Sequence, residues 1–278
     1  GAGKQLLGMV LIRDIVFAAP NVRLAEIVRP ALSVRDTTPL DELENLFDEN
    51  SFTAVPVVDE DGRMLGVVRR RAAYDAVAER AESEHLKSQG IVGGEELRSM
   101  PTPLRSRRRL SWLSINIVLN LIAASVIAQY QDVLSAVIVL AVFLPIISDM
   151  SGCSGNQAVA VSMRELSLGV IKPADFYYVW RKEAVVGLIN GAVLGILIAS
   201  VAWIWQGNPW LGLVVGLALS VNTVVAVSIG GTVPVLLKAL KIDPAVASGP
   251  ILTTITDMCG FFLLLGTASL LLPQLSGA

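Results

Sequence analysis

Through about residue 109 apolar and polar residues change places at short period; from Leu110 onward the apolar runs lengthen until whole segments carry no charge. Within residues 30–80 the short period reads as strand, helix, strand, strand, helix. Leu32-Ser33-Val34 leads into Thr38-Pro39-Leu40-Asp41-Glu42, a helix start with a Thr cap, a Pro in the first turn and early acids. Leu40, Leu43, Leu46 and Phe47 form the expected buried stripe. Ala54-Val55-Pro56-Val57-Val58 reads as a short buried strand and Asp59-Glu60-Asp61-Gly62 as a turn. Met64 to Val68 reads as the returning strand, and a second helix is expected from about Arg71.

The long apolar runs are counted against the roughly 20 residues a helix needs to cross a bilayer. Residues 110–131 hold no charge and make a first span. Residues 133–148 are apolar and continue past Asp149 and a Ser/Gly-rich stretch to residue 163, a long or broken second span. Residues 184–237 are 54 positions without a charge; Gln206-Gly207-Asn208-Pro209 supplies the turn that divides them into spans three and four. Residues 244–278 hold one charge, Asp257, and make span five. The expected fold is therefore an α-helical membrane protein of five transmembrane helices behind an N-terminal α/β segment.

Charge distribution sets the orientation. Of 46 charged residues, 33 precede Leu110 and 13 follow it. Arg105, Arg107, Arg108 and Arg109 stand before span one, Arg164, Lys172, Arg181 and Lys182 between spans two and three, and Lys238 and Lys241 between four and five. The loops near Tyr130 and Asn208 carry no basic residue. With five spans every basic residue falls on one side, which places the N-terminus in the cytoplasm and the C-terminus outside a multi-pass plasma-membrane protein. A net charge of −2, with the one strong basic cluster abutting a span, argues against a nucleic-acid partner. The two cysteines, Cys153 and Cys259, both lie in apolar segments and form no CxxC pattern.

Leu7-Gly8-Met9-Val10 with Arg13-Asp14-Ile15-Val16 echoes Leu65-Gly66-Val67-Val68 with Arg71-Ala72-Ala73-Tyr74 at an offset of 58 residues. The pattern resembles a pair of CBS domains whose first member is represented only by its final strand and helix, so the sequence reads as a fragment. The expected boundaries are 1–28 for that tail, 29–84 for the second CBS domain, 85–109 for a connecting, plug-type helix or linker, and 110–278 for the five-helix ion-conducting domain. CBS pairs in general sense adenine nucleotides or divalent ions; the Arg69-Arg70-Arg71 run reads better as a solvated helix start than as a phosphate site. Asp75, Glu79, Glu82, Glu84, Glu95 and Glu96 make an acidic stretch, which is a solvated face or a divalent-ion sensor. His85, the one histidine, receives no role.

Inside the spans, charges need a reason, because each costs at least about 2.5–3.5 kcal/mol on insertion scales. Thr253, Thr256 and Asp257 fall at i, i+3 and i+4, an oxygen-bearing strip on an otherwise apolar helix. Asp149, Cys153, Asn156 and Ala160 share another helical face. Pro145, Gly152 and Gly155 suggest a kinked or unwound helix there, which would free carbonyl oxygens. Gly187, Gly191 and Gly195, with Asn190, read as close helix packing. Carboxylate, amide and hydroxyl oxygens suit a hard divalent cation, and Mg²⁺, Mn²⁺ and Ca²⁺ all qualify.

Pro145, Gly152 and Gly155-Asn156-Gln157 resemble the Pro…GGNxGNQ segment of the MgtE family of magnesium channels and transporters. Asp243-Pro244-Ala245, Ser248, Pro250 and Thr256-Asp257-Met258-Cys259-Gly260 resemble a second segment of that family. The resemblance implies a homodimer in the lipid bilayer, with a Mg²⁺ pore along the two-fold axis. It also implies Asp257 and Asn156 as ion-site residues, with carbonyls offered by Gly152 and Thr253. It further implies a gate in the acidic linker that closes when intracellular Mg²⁺ neutralises it. Mg²⁺ is then both cargo and regulator; an adenine nucleotide at the CBS segment is admitted by the resemblance but argued for by no residue. Cys153 stands where the family has an Asn, Asp149 where it has a Gly, and Gly249 where it has a pore-lining Asn. These departures direct attention to ion selectivity.

The competing expectations are a Na⁺- or H⁺-coupled divalent cation transporter and a membrane-tethered nucleotide sensor. No nucleophile–base pair, P-loop or metal-hydrolase motif appears, so an enzyme is not expected.

Overall fold

The computed structural model describes residues 5–88, 90–91 and 97–276. Glu95 and Glu96 of the acidic stretch lie outside them. The chain divides into two compact units, residues 1–83 and 84–278.

In the first unit short helices α1 (Ile12–Phe17) and α2 (Leu24–Ile27) precede β1 (Val34–Arg35), α3 (Leu40–Glu49), β2 (Ala54–Val58), β3 (Met64–Arg69) and α4 (Arg70–Ser88), whose last turn counts with the second unit. β2 pairs parallel with β1 and antiparallel with β3. The hairpin turns at Gly62, whose φ of 75° is the left-handed conformation glycine adopts without strain. Asp59 holds the turn by accepting from the backbone N–H of Asp61 at 3.0 Å and of Arg63 at 2.8 Å. Phe47 is fully buried among Val34, Val55 and Ala73, with Leu43 and Leu46 packed against them. Thr38 does not cap α3; its hydroxyl accepts from the Arg35 N–H in the preceding turn. Arg70, within the basic run, is committed to structure: its Nε donates to the Phe52 carbonyl at 2.9 Å and its guanidinium sits 5.5 Å from the Phe47 ring centre. The Tyr74 hydroxyl donates to Asp48, which raises its pKa above the ordinary tyrosine value.

The second unit is helical: α5 (Thr102–Gln129), α6 (Gln131–Ala136), α7 (Leu140–Ser167), α8 (Phe176–Gln206), α9 (Pro209–Ala239), α10 (Pro244–Leu270) and α11 (Leu272–Ser276). Among the described residues four helical segments are long and apolar enough to cross a membrane: α5, the run from Pro173 through α8, α9, and α10 from Ser248. Together with the many large hydrophobic side chains exposed along α5 and α8, they make this an α-helical, multi-pass membrane protein. α7, with 28 residues, has the length, about 42 Å at 1.5 Å per residue. It lacks the apolar composition, because Asp149, Asn156 and Gln157 occupy its middle.

Span two is indeed interrupted, but at Val137–Val139, between α6 and α7. From Leu140 to Ser167 the helix runs unbroken with Pro145 inside it, so Gly152 and Gly155 do not unwind it. The α8–α9 turn falls where Gly and Pro place it: Gly207 takes φ 69°, Asn208 accepts from the Trp210 N–H at 2.9 Å, and Pro209 opens α9.

α9 is the hub, packed against α7, α8 and α10, while α5 touches α10. Its small residues permit this. A Cβ on Gly187, Gly191 or Gly195 of α8 would lie 3.0, 2.5 and 1.8 Å from Val224, Ser220 and Ser220 of α9. Gly216, on α9, answers Gly195 and Ala199. A side chain at Gly191 meets the Ser220 carbonyl, backbone that cannot swing aside. Gly191→Leu is therefore expected to destabilise the protein by about 1–3 kcal/mol, read as a lower unfolding temperature in detergent; an unchanged temperature would mean the helices do not meet there.

Candidate functional site

The polar residues of the spans divide by the face they occupy. On α7, Phe143, Leu144, Ile147, Ser151, Ser154, Gly155, Ala158 and Ser162 are buried, whereas Asp149, Cys153, Asn156, Gln157 and Ala160 are exposed. The helical period produces this: residues at i, i+4, i+7 and i+11 share one side. A Cβ on Gly152 would meet nothing within 4 Å, and the same holds for Gly249 on α10. Thr253, one turn after Gly249, is exposed too, with its hydroxyl donating to the Gly249 carbonyl at 3.0 Å.

Asp257 is placed differently, only 9% exposed. Its carboxylate accepts a hydrogen bond from the hydroxyl of Ser148, the α7 residue next to Asp149. Thr256 is fully buried; its hydroxyl donates to the Thr253 carbonyl at 3.0 Å. The expected strip of Thr253, Thr256 and Asp257 is thus divided. Thr253 lies on the outer face, and Thr256 and Asp257 turn into the bundle.

Two residues at the site were not anticipated. Ser148 looked like one more small residue of an apolar run. Asn222 is a lone amide in the middle of α9, and that depth was itself the signal, because an amide in hydrocarbon needs a partner. Asn222 is fully buried and donates through Nδ2 to the Thr256 carbonyl at 3.0 Å. It thereby holds the peptide that carries Asp257. Gly260 makes room for it: a Cβ there would lie 2.7 Å from Asn222 Nδ2 and 3.1 Å from Ile147. Gly155 serves packing as well, since a Cβ on it would press on Leu252 and the Ala226 carbonyl.

Among the described residues no three His, Cys, Asp or Glu side chains come together. Within one chain, Asp149 follows the Ser148 that bonds Asp257, and Asn156 lies on the same exposed face of α7 as Asp149. Carboxylate, amide and hydroxyl oxygens are ligands of the kind a hard cation such as Mg²⁺ takes. At the end of α4, Lys87 pairs with Asp243 at 3.0 Å, and Asp243 also caps α10 by accepting from the Ala245 N–H at 3.0 Å.

Residues 144–267 match the MgtE family, described as a divalent cation transporter, and residues 24–79 match the CBS domain. The chain is 31% identical over 274 residues, 98% of its length, to a magnesium transporter MgtE of Bacillus subtilis. It is 34% identical over 272 residues, 96% of its length, to the protein of that name from Thermus thermophilus. The Enterococcus faecalis protein of that name is 32% identical over 269 residues, also 96% of this chain. The chain spans about 60% of the length of these relatives.

Asn222 and Gly260 form a matched pair. Gly260→Ala is expected to lower stability by about 1–3 kcal/mol through overpacking, measured by thermal unfolding in detergent. Full stability in that variant would mean Asn222 is not held against α10.

Proposed function

The chain belongs to the MgtE family of divalent cation transporters, and from that premise we propose that it carries Mg²⁺ across the plasma membrane through a pore shared by two copies of the chain. The observation that supports this most directly is the exposed polar face of α7. Asp149, Cys153, Asn156 and Gln157 sit mid-helix on a segment of membrane length. Hydrocarbon offers them no hydrogen bonds, so such a face belongs against water or a second protein surface. In a homodimer the faces of two α7 helices would enclose a path lined by oxygens, and doubling the set makes up for the sparseness of one chain.

In this reading Asp257 and Asn156 face the ion's route, with Asp149, Thr253 and Gly152 beside them. Gly249 contributes width, having no side chain to obstruct it. Thr256 supports the site from behind. The basic residues near 105–109, 164–182 and 238–241 support a cytoplasmic N-terminal unit and a C-terminus outside. Asp75, Glu79 and Glu82 are exposed on α4, a surface on which cytoplasmic Mg²⁺ would relieve like-charge repulsion and so report ion level to the pore. The Lys87–Asp243 pair gives that report a physical route to the start of α10.

Asp257→Asn is expected to cut Mg²⁺ flux into liposomes at least about tenfold, since a charge-assisted contact is worth roughly 1.5–3 kcal/mol. Dimerisation should persist. Flux at the wild-type rate would remove Asp257 from the path. Flux that follows an imposed proton or sodium gradient would replace the passive pore by a coupled transporter. Asp149→Gly is expected to change the ranking of Mg²⁺, Mn²⁺ and Ca²⁺ in the same assay; an unchanged ranking would show that Asp149 does not face the ion.

A further inference from the structure

Serine and threonine hydroxyls within the spans mostly bond back along their own helix. Ser114 donates to Leu110, Ser200 to Ile196, Thr223 to Leu219, Thr232 to Ser228 and Thr254 to Pro250. That is the usual local solution for a helical hydroxyl. Ser148 does otherwise: its hydroxyl crosses from α7 to the Asp257 carboxylate on α10. Among the described residues it is the donor to that carboxylate, and it takes Oδ1 alone.

We propose that Ser148 is a positioning residue of the ion site, its hydroxyl holding Asp257 by one oxygen so that the other is presented to the hydrated cation. The proposal rests on the reading of Asp257 as an ion-site residue. Three features carry it. An aspartate's χ2 is broad and roughly two-fold, so an untethered carboxylate would rotate rather than aim. The backbone beneath it is already fixed, through the Asn222 amide on the Thr256 carbonyl and the space left by Gly260. With the main chain held, the Ser148 hydrogen bond restrains the side-chain torsions that remain. Finally, Ser148 and Asp149 are consecutive, about 100° apart around the helix. One turn of α7 thus supplies the hydroxyl that orients one carboxylate and, on its open face, a second carboxylate.

Outer partners that orient a metal-binding group typically change affinity by about 10–100-fold when removed. The test measures Mg²⁺ influx against Mg²⁺ concentration in liposomes holding the full chain, for wild type, Ser148→Ala, Ser148→Thr, Ser148→Val and Asp257→Asn. Unfolding temperature and oligomeric state are measured alongside. Thr and Val have nearly the same shape and differ in the hydroxyl, so they separate orientation from packing even if the Ala variant folds poorly. The expected result is a half-saturating Mg²⁺ concentration about tenfold higher in Ala and Val. Thr should recover most of the wild-type value, and unfolding temperatures should not follow that order. Equal impairment of Thr and Val, or wild-type half-saturation in both Ala and Val, would overturn the positioning role while Asp257→Asn still cuts flux. Wild-type transport by Asp257→Asn would instead overturn the ion-site reading, and the positioning role with it.

Discussion

Hydrocarbon accepts no hydrogen bonds, and nearly every feature of the helical unit follows from that constraint. Backbone groups are satisfied inside α5 and α7–α10 by helix formation. Side chains then have three options: bond back to the same helix, cross to another, or turn to a face that is not lipid. Most hydroxyls take the first. Ser148, Ser162 and Asn222 take the second, tying α7 to α10, α7 to α9 and α9 to α10. Asp149, Cys153, Asn156 and Gln157 are exposed on α7, and in the proposed function theirs is the face turned toward the ion.

The same constraint explains the small residues. Without a hydrophobic driving force between helices, close contact depends on shape, and α9 reaches three neighbours because glycines on it and opposite it remove side chains from the contact. Glycines of like appearance in sequence do different work. Gly155 and Gly230 bring α7 and α9 together, with a Cβ on Gly230 falling 2.3 Å from the Gly155 carbonyl. Gly152 and Gly249 face open space, where a Cβ would meet nothing within 4 Å.

The N-terminal unit obeys ordinary aqueous rules. Phe47 anchors a small core, and Arg70, which could have read as a phosphate ligand, is occupied by loop carbonyls and the Phe47 ring. The acids Asp75, Glu79 and Glu82 on α4 remain exposed.

Sequence alone determined the long charge-free runs after Leu110, the turn at residues 206–209, β2 and β3, and the two acids within the apolar half. All of these depend on composition and local period, which tertiary contacts do not alter. It also singled out the shared face of Asp149, Cys153 and Asn156, because helical spacing is a local property. Only the tertiary structure decided which side of α10 looks outward. Thr253, Thr256 and Asp257 share a stripe in projection, yet α7 and α9 cover two of them. It alone moved the break in span two from the Pro/Gly segment to Val137–Val139, since helix packing outweighs the weak local preference of Gly152 and Gly155. It alone joined Ser148 to Asp257 across 109 residues and set Asn222 under the Thr256 carbonyl. Pairings between helices depend on which faces meet, and no local period in the chain encodes that.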